Sequence, residues 1–163
     1  MGASRQFVIL LRHGIAEDRG GDVVEEERAL TRRGRRRMRS SARGLVRLLP
    51  AIDAIASSPL RRCVETAHFV SARTGVSEVE LLDELRPEGD AQGFLRYLRD
   101  TKSATAVYVG HEPSLSRIAS ALLGVEGASQ LELRKGGCYV FTITAGVSSL
   151  EWMLAPRVLR SIR

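Results

Sequence analysis

The sequence of 163 residues is 44% hydrophobic, enough for the buried core of one domain, and we expect a single domain over residues 1–163. No apolar run reaches the ~18 residues of a membrane span, and the N-terminal run is too short for a signal peptide. We therefore expect a cytoplasmic protein with no membrane partner. The formal net charge is +6, and all but two of the 25 basic residues are arginines. Because a genome that favours arginine codons gives the same composition, this charge does not predict nucleic-acid binding, and we expect none.

Strand and helix patterns alternate along most of the chain. Apolar runs predict strands at 7–11, 52–56, 79–82, 104–109, 139–144 and 150–154. Helical spacing and end signals predict four helices. The first spans 31–48 with Thr31 as its N-cap, and the second starts from the N-cap Ser58 with Pro59 in its first turn. The third spans 90–101, and the fourth runs from about 111 to Gly124. This alternation predicts an α/β fold, a three-layer domain with a mostly parallel central sheet flanked by helices. We expect the last two strands, which Gly146 separates, to pair antiparallel at an edge.

Three polar motifs each follow a predicted strand. Arg12-His13-Gly14 follows the first strand, Ser57-Ser58-Pro59-Leu60-Arg61-Arg62 the second, and Gly110-His111-Glu112-Pro113 the strand at 104–109. The carboxyl ends of parallel strands lie at one edge of a sheet, where open α/β proteins bind ligands. We therefore expect two histidines and at least two arginines to converge on an anion.

This group of residues suits the transfer of a phosphoryl group. A neutral imidazole can attack phosphorus and form a phosphohistidine, provided that its other ring nitrogen donates its N–H to an acceptor. Arginines bind the phosphoryl oxygens and offset their charge, and a second histidine could donate a hydrogen bond to them. A glycine such as Gly14 lets the backbone approach a phosphate closely.

The same motifs resemble the three signatures of the histidine phosphatase superfamily, also called the phosphoglycerate mutase-like family, in order and in spacing over residues 7–123. The resemblance implies a phosphoglycerate mutase-like fold, with His13 as the nucleophile. It also implies that Arg12, Arg62 and His111 form the phosphate pocket with Gly14, and the family pattern Ser-Pro-Leu-x-Arg selects Arg62 over Arg61. Glu65 and Cys63 stand where that pattern often has glutamine and alanine.

Within the superfamily, the short chain and the stretch Arg28-Ala-Leu-Thr-Arg-Arg-Gly34 resemble the small bacterial phosphohistidine phosphatases of the SixA type. This resemblance implies that Arg28 reaches the site from its loop. One position departs from the pattern of the sugar-phosphate members of the superfamily. Those members place a glutamate, which acts as the general acid, two residues after a leucine, whereas the stretch here is Leu85-Arg86-Pro87, with proline at that position. Glu84 is the candidate for a general acid, Glu88 and Asp90 are nearby alternatives, and for each a merely charged loop is at least as good an interpretation.

The missing acid bears on the substrate. An imidazole leaving group has a pKa near ~6.5, whereas that of an alcohol is comparable to the ~16 of water, so a phosphohistidine needs far less help from an acid. We expect a phosphatase that works through phospho-His13 on a phosphorylated signalling protein, such as a histidine phosphotransfer domain. Two alternatives stay open: a broad-specificity phosphomonoesterase or mutase acting on small phosphate esters, and a phosphoprotein-binding module without turnover.

No metal or cofactor is expected. The three histidines lack H-x-H or H-E-x-x-H spacing, and no Walker loop or dinucleotide fingerprint is present. The third histidine, His68, is expected to pack on the buried side of its helix. The two cysteines, Cys63 and Cys138, lie in apolar segments and are expected to be reduced core residues.

Overall fold

Six strands form one mixed sheet in the computed structural model, which describes residues 5–20, 23–125 and 131–163. The strands are β1 (Arg5–Arg12), β2 (Ala54–Ser57), β3 (Glu80–Leu81), β4 (Thr105–Gly110), β5 (Cys138–Thr144) and β6 (Val147–Leu154). Their order across the sheet is β3-β2-β4-β1-β5-β6. The pairs among the first four are parallel, and β5 and β6 add an antiparallel edge, as predicted.

Helices cover both faces of the sheet. They are α1 (Arg32–Leu48), α2 (Arg61–Ser71), α3 (Ala91–Asp100), α4 (Ser114–Leu123) and α5 (Pro156–Ser161). Residues of α1, α2 and α5 share one apolar cluster with the sheet, and residues of α3 and α4 share a second cluster on the opposite face. The predicted three-layer α/β architecture is therefore confirmed. No helix among the described residues is both long and apolar enough to cross a membrane.

Strand β1 runs through the centre of this arrangement. Its residues Val8–Leu11 are at most 1% exposed, with alternate side chains in the two clusters. A strand covered on both faces needs a continuous apolar run rather than an alternating one. The first polar residues after this run therefore emerge at the carboxyl edge of the sheet, between β4 and β5.

Helix α1 begins where the sequence predicts. The Thr31 hydroxyl accepts the Gly34 N–H at 3.0 Å, which caps the first turn. Gly34 lies against the loop that follows β1, and a Cβ added there would lie only 2.0 Å from the Ile15 carbonyl oxygen. The absence of a side chain at this position therefore sets how closely α1 approaches the end of β1.

The predicted start of the second helix is wrong. Helix α2 begins at Arg61 with Leu60 as its N-cap, and Ser58 and Pro59 lie before it. The Ser58 N–H donates to the Val109 carbonyl at 2.9 Å, so the chain still follows β4 at Ser58 and turns into the helix only after Pro59. His68 is exposed rather than packed, and helix α5 lies outside the predicted elements. Both cysteines are buried and free, as expected.

Candidate active site

The three motifs meet in one cleft at the carboxyl ends of β1, β2 and β4. The His13 N–H donates to the Gly110 carbonyl at 3.1 Å, so the chain after β1 still follows β4. The cleft has a volume of about 280 Å³ and is lined by Arg12, His13, Asp18, Arg19, Arg28, Arg62, Pro87, His111, Glu112 and Lys135. Two larger hollows share Gln6, Thr101, Ile143 and Gly146, at the opposite end of β1, and neither contains a histidine. The two histidines of the motifs therefore lie in the smaller cleft.

His13 is held as a neutral imidazole with one free nitrogen. Its Nδ1 lies 2.7 Å from the Gly14 carbonyl oxygen, which can only accept, so Nδ1 carries the proton and Nε2 keeps its lone pair. The residue is 6% exposed. Burial lowers the pKa of His13 to about 3, and the charges of Arg62, Arg12 and Lys135 add to this, although the Gly14 hydrogen bond opposes it. This is the protonation state that a nitrogen nucleophile needs.

His111 faces His13 across the cleft. The ring centroids lie 5.0 Å apart with the planes tilted by 57°. His111 Nδ1 lies 3.2 Å from an Nη2 of Arg62, which can only donate, so the neutral ring carries its proton on Nε2 and donates it to the Ser58 hydroxyl at 2.9 Å. Burial, together with the nearby rings and guanidinium groups, lowers the pKa of His111 to about 2. Neutral His111 thus orients Arg62, while Ser58 orients His111.

Two arginines present buried N–H groups at the cleft. Arg62 is 2% exposed, and both of its Nη atoms donate to protein acceptors. The Nη1 of Arg12 donates to the Leu133 carbonyl and to Glu132. The Nε of each arginine is buried and has no acceptor among the described residues. Since buried donors are normally paired, these two N–H groups are exceptions, and both belong to arginines that line the cleft.

Arg28 reaches the cleft from the loop before α1. It is 7% exposed, and its Nε and Nη2 donate to the Glu17 carbonyl at 2.8 and 2.6 Å. Its Nη1 lies 2.8 Å from both carboxylate oxygens of Glu25. The cleft therefore contains Arg28 in addition to Arg12 and Arg62.

Gly14 links the chain after His13 to helix α2. The Gly14 N–H donates to the Thr66 hydroxyl at 3.1 Å, and that hydroxyl donates to the Arg62 carbonyl at 2.7 Å. Gly14 does not line the cleft, and a Cβ there would lie 2.5 Å from Met38 Cγ. Glu65 accepts the Leu30 N–H at 2.9 Å, which ties α2 to the loop that carries Arg28.

The carboxylates near the cleft differ in whether they line it and whether they are already hydrogen-bonded. Glu84 does not line the cleft, and its Cγ lies against Gly93 of α3. Glu112 lines the cleft, but its oxygens accept from the Leu133 N–H and from the Ser116 N–H and hydroxyl. Asp18 lines the cleft with no hydrogen bond or ion pair to another described residue.

Asp18, Arg19 and Lys135 also line the cleft, and Glu25 contacts two of its arginines, although no sequence pattern points to these four residues. All four lie in loops or turns, where no periodicity indicates which side chains point inward. Among the described residues, no group of three or more His, Cys, Asp or Glu side chains is placed to hold a metal ion.

Comparisons with known proteins agree with this geometry. A sequence model of the histidine phosphatase superfamily (branch 1) matches residues 8–93. An uncharacterized protein of Picosynechococcus sp. is 33% identical over 143 residues, which cover 86% of each chain.

Solved structures share the fold. The protein histidine phosphatase SixA complexed with tungstate superposes with a TM-score of 0.81 at 24% identity, covering 94% of this chain and 99% of that one. A phosphoserine phosphatase from Entamoeba histolytica in complex with phosphoserine gives 0.75 at 20% identity, covering 93% and 98%. A mycobacterial glucosyl-3-phosphoglycerate phosphatase gives 0.74 at 18% identity, covering 93% and 99%. With two histidines and buried arginines gathered in one cleft, and with its sequence matched by the family over more than half its length, the chain belongs to the histidine phosphatase superfamily, branch 1.

Proposed function

We propose that this protein is a metal-independent phosphatase that removes the phosphoryl group from phosphohistidine on a protein, through a phosphorylated His13. The observation that carries the proposal is the free Nε2 of His13 in a cleft walled by Arg12, Arg28 and Arg62. A neutral imidazole nucleophile and donors for the phosphoryl oxygens are the two requirements of this chemistry.

The reaction divides into two displacements at phosphorus. In the first, the Nε2 lone pair of His13 forms a bond to phosphorus, while the bond from phosphorus to the substrate nitrogen breaks and that nitrogen keeps the electron pair. The substrate ring carries a proton on its other nitrogen, so it leaves as a neutral imidazole. In the second, a water oxygen attacks phosphorus, and the bond to His13 breaks with its electron pair returning to Nε2. The attacking water loses a proton to solvent, and inorganic phosphate leaves. His13 returns to its neutral form with Nδ1–H still donated to Gly14.

The buried arginines supply the electrostatic part of catalysis. Arg12 and Arg62 line the cleft with their guanidinium groups held by protein acceptors before substrate arrives, so little reorganisation is needed as charge moves onto the phosphoryl oxygens. Arg62 is held in turn by His111 and by Glu25. Preorganised donors of this kind are worth about 10²–10³ in rate each.

The leaving group favours phosphohistidine over an alkyl phosphate. The Glu112 carboxylate is engaged in hydrogen bonds, and Glu84 lies outside the cleft. A substrate imidazole, with a pKa near ~6.5, departs without a strong acid, whereas an alkoxide does not. The likeness to SixA, a protein histidine phosphatase, supports a small enzyme of the same type in the cytoplasm, with a protein such as a histidine phosphotransfer domain as its partner.

Asp18 favours a second candidate, a broad-specificity phosphomonoesterase or mutase acting on small phosphate esters. Its carboxyl group lines the cleft and could protonate an alkoxide. The phosphoserine and glucosyl-3-phosphoglycerate phosphatases that share the fold support this alternative. A phosphoprotein-binding module without turnover is a weaker alternative, because such a module would not need His13 held neutral.

A substrate panel separates these candidates. Wild-type protein and His13→Ala are incubated, with a chelator present, with a phosphohistidine protein, an aryl phosphate, phosphoserine and a sugar phosphate. We expect the phosphohistidine protein to be hydrolysed fastest, and the variant to hydrolyse nothing. Faster hydrolysis of the alkyl phosphates would establish the second candidate, and binding without turnover by the wild type would establish the third.

A further inference from the structure

The carboxylate of Glu25 lies between two of the arginines that wall the cleft, yet Glu25 does not itself line the cleft. Its Oε1 accepts from Arg28 Nη1 at 2.8 Å and from Arg62 Nη2 at 2.9 Å. We propose that Glu25 is a positioning residue, which holds Arg28 and Arg62 side by side so that both present their remaining N–H groups to the substrate phosphoryl group. This inference rests on the proposed function of the cleft as a phosphoryl-transfer site.

The contacts of Glu25 fix the orientation of the Arg62 guanidinium group. The Glu25 backbone carbonyl accepts from Arg62 Nη1 at 2.8 Å, in addition to the carboxylate contact with Nη2. Glu25 therefore binds both terminal nitrogens of Arg62 and leaves its buried Nε–H without a protein acceptor among the described residues. The guanidinium plane cannot turn without breaking two hydrogen bonds.

The same carboxylate offsets repulsion between the arginines. Two buried guanidinium groups that share one neighbour repel each other strongly in a medium of low dielectric constant. The pKa of Glu25 stays below its usual value: burial would raise it, but the hydrogen bond from Arg28 and the charges of Arg62, Arg28 and Arg19 outweigh that effect. Glu25 is thus ionised, and its charge permits the two cations to lie together.

The two neighbouring glutamates do not share this role. Glu25, Glu26 and Glu27 form one 3₁₀ turn, but only Glu25 is half-buried. Glu27 is 64% exposed at its side chain and lies 3.9 Å from Arg61, and no ion pair of Glu26 is found among the described residues. Glu26 therefore provides a matched control, with the same charge in the same turn and no contact with the cleft arginines.

Positioning and simple electrostatics predict opposite results for anion binding. Replacing Glu25 by Gln removes a negative charge near the cleft, which by charge alone would strengthen the binding of phosphate. If Glu25 positions the arginines, the same change weakens the carboxylate contacts with Arg28 and Arg62, their guanidinium groups are held less firmly, and phosphate binds more weakly. The sign of the change in affinity therefore tests the inference.

The experiment measures the affinity of inorganic phosphate by titration calorimetry for wild type, Glu25→Gln, Glu25→Asp and Glu26→Gln, with the unfolding midpoint as a check on folding. We expect phosphate to bind about ten-fold more weakly to Glu25→Gln, a change of about 1.4 kcal/mol. Glu25→Asp keeps the charge but shortens the side chain, so it should also bind more weakly than wild type. Glu26→Gln should stay within about two-fold, because a surface charge has little effect.

Unchanged or tighter phosphate binding by folded Glu25→Gln or folded Glu25→Asp would overturn the inference. The phosphate readout does not depend on turnover, so it separates this proposal from the proposed function. Weaker binding in the Glu25 variants, with no phosphohistidine hydrolysis by wild type, would uphold the positioning role and reject the function. Hydrolysis by wild type that is unaltered in kcat and KM by Glu25→Gln would do the reverse, and a wild type that binds no phosphate would reject both.

Discussion

The imidazole of His13 and that of His111 lie with their centroids 5.0 Å apart, and each ring donates one N–H to a fixed partner. The Gly14 carbonyl accepts a hydrogen bond from Nδ1–H of His13, whereas the Ser58 hydroxyl accepts one from Nε2–H of His111. The two rings are therefore held as opposite tautomers. His13 is left free to attack, and His111 is left to accept from Arg62.

The first prediction concerns the dependence of stability on pH. Burial and nearby cations lower the pKa of His13 to about 3 in the folded protein, from 6.5 for the isolated side chain. Between these values the unfolded chain binds more protons, so the free energy of unfolding falls as the pH is lowered from about 6.5 towards 3. At pH 4.5 the cost for one such histidine is about 2–3 kcal/mol.

His13→Gln should therefore lose about 2–3 kcal/mol less stability than wild type between pH 7 and pH 4.5. Urea unfolding at a series of pH values measures this. The pKa of His111 is lowered to about 2, so His111→Gln should likewise lose less free energy of unfolding than wild type as the pH is lowered. Acid slopes identical to wild type in both variants would show that the histidines are not held neutral.

The second prediction concerns the choice between adjacent arginines. Arg62→Lys replaces a fork that donates in three directions with a single point charge, so kcat/KM should fall by about 10²–10³. Arg61→Lys is the matched control, because Arg61 is half-exposed and pairs with Glu65 on the surface. Its kcat/KM should stay within about two-fold. Equal losses in the two variants would mean that Arg62 has no special role.

The third prediction concerns Asp18 as the general acid in the hydrolysis of alkyl phosphates. Asp18→Asn should slow the hydrolysis of alkyl phosphates about ten-fold or more, since only this carboxyl group lines the cleft without a partner among the described residues. Hydrolysis of phosphohistidine should change little. Glu84→Gln should leave both rates unaltered, because Glu84 lies against Gly93. A selective loss with Glu84→Gln would restore the acid suggested by the sequence.

The fourth prediction tests how the start of α1 is packed. Alanine favours helices over glycine by about 1 kcal/mol, yet Gly34→Ala places a Cβ 2.0 Å from the Ile15 carbonyl oxygen. Gly34→Ala should therefore destabilise the fold by about 1–3 kcal/mol and lower activity, because Ile15 lies two residues after His13, the proposed nucleophile. At Gly75 nothing lies within 4 Å of an added Cβ, so Gly75→Ala should change the unfolding midpoint little. A stabilised Gly34→Ala variant would contradict the packing described.

The fold and the main site residues could be predicted because their signals are local. An apolar run that ends in Arg12 and His13 defines both a doubly covered strand and the position where its tip emerges. The same reasoning places His111 after β4. Because parallel strands place their carboxyl ends together, the sequence order of the motifs was enough to predict their convergence.

The remaining features depend on tertiary contacts that leave no local pattern. Ser58 is of a residue type that favours N-caps, but its N–H still pairs with Val109 of β4 and its hydroxyl accepts from His111, and α2 begins three residues later. Glu25 is the first of three consecutive glutamates, and only the path of the turn selects it as the partner of the arginines. Asp18 reaches the cleft from a loop of irregular conformation, where spacing carries no information about direction.

The central claim is that His13 becomes phosphorylated during turnover. Wild-type protein is mixed rapidly with a radiolabelled phosphohistidine protein, quenched in alkali within one turnover, and digested for peptide mapping. We predict an acid-labile, alkali-stable phosphate on the peptide that contains His13, formed and lost at rates consistent with turnover, and absent in His13→Ala. Turnover that proceeds with no labelled enzyme, or with the label on another residue, would contradict the account.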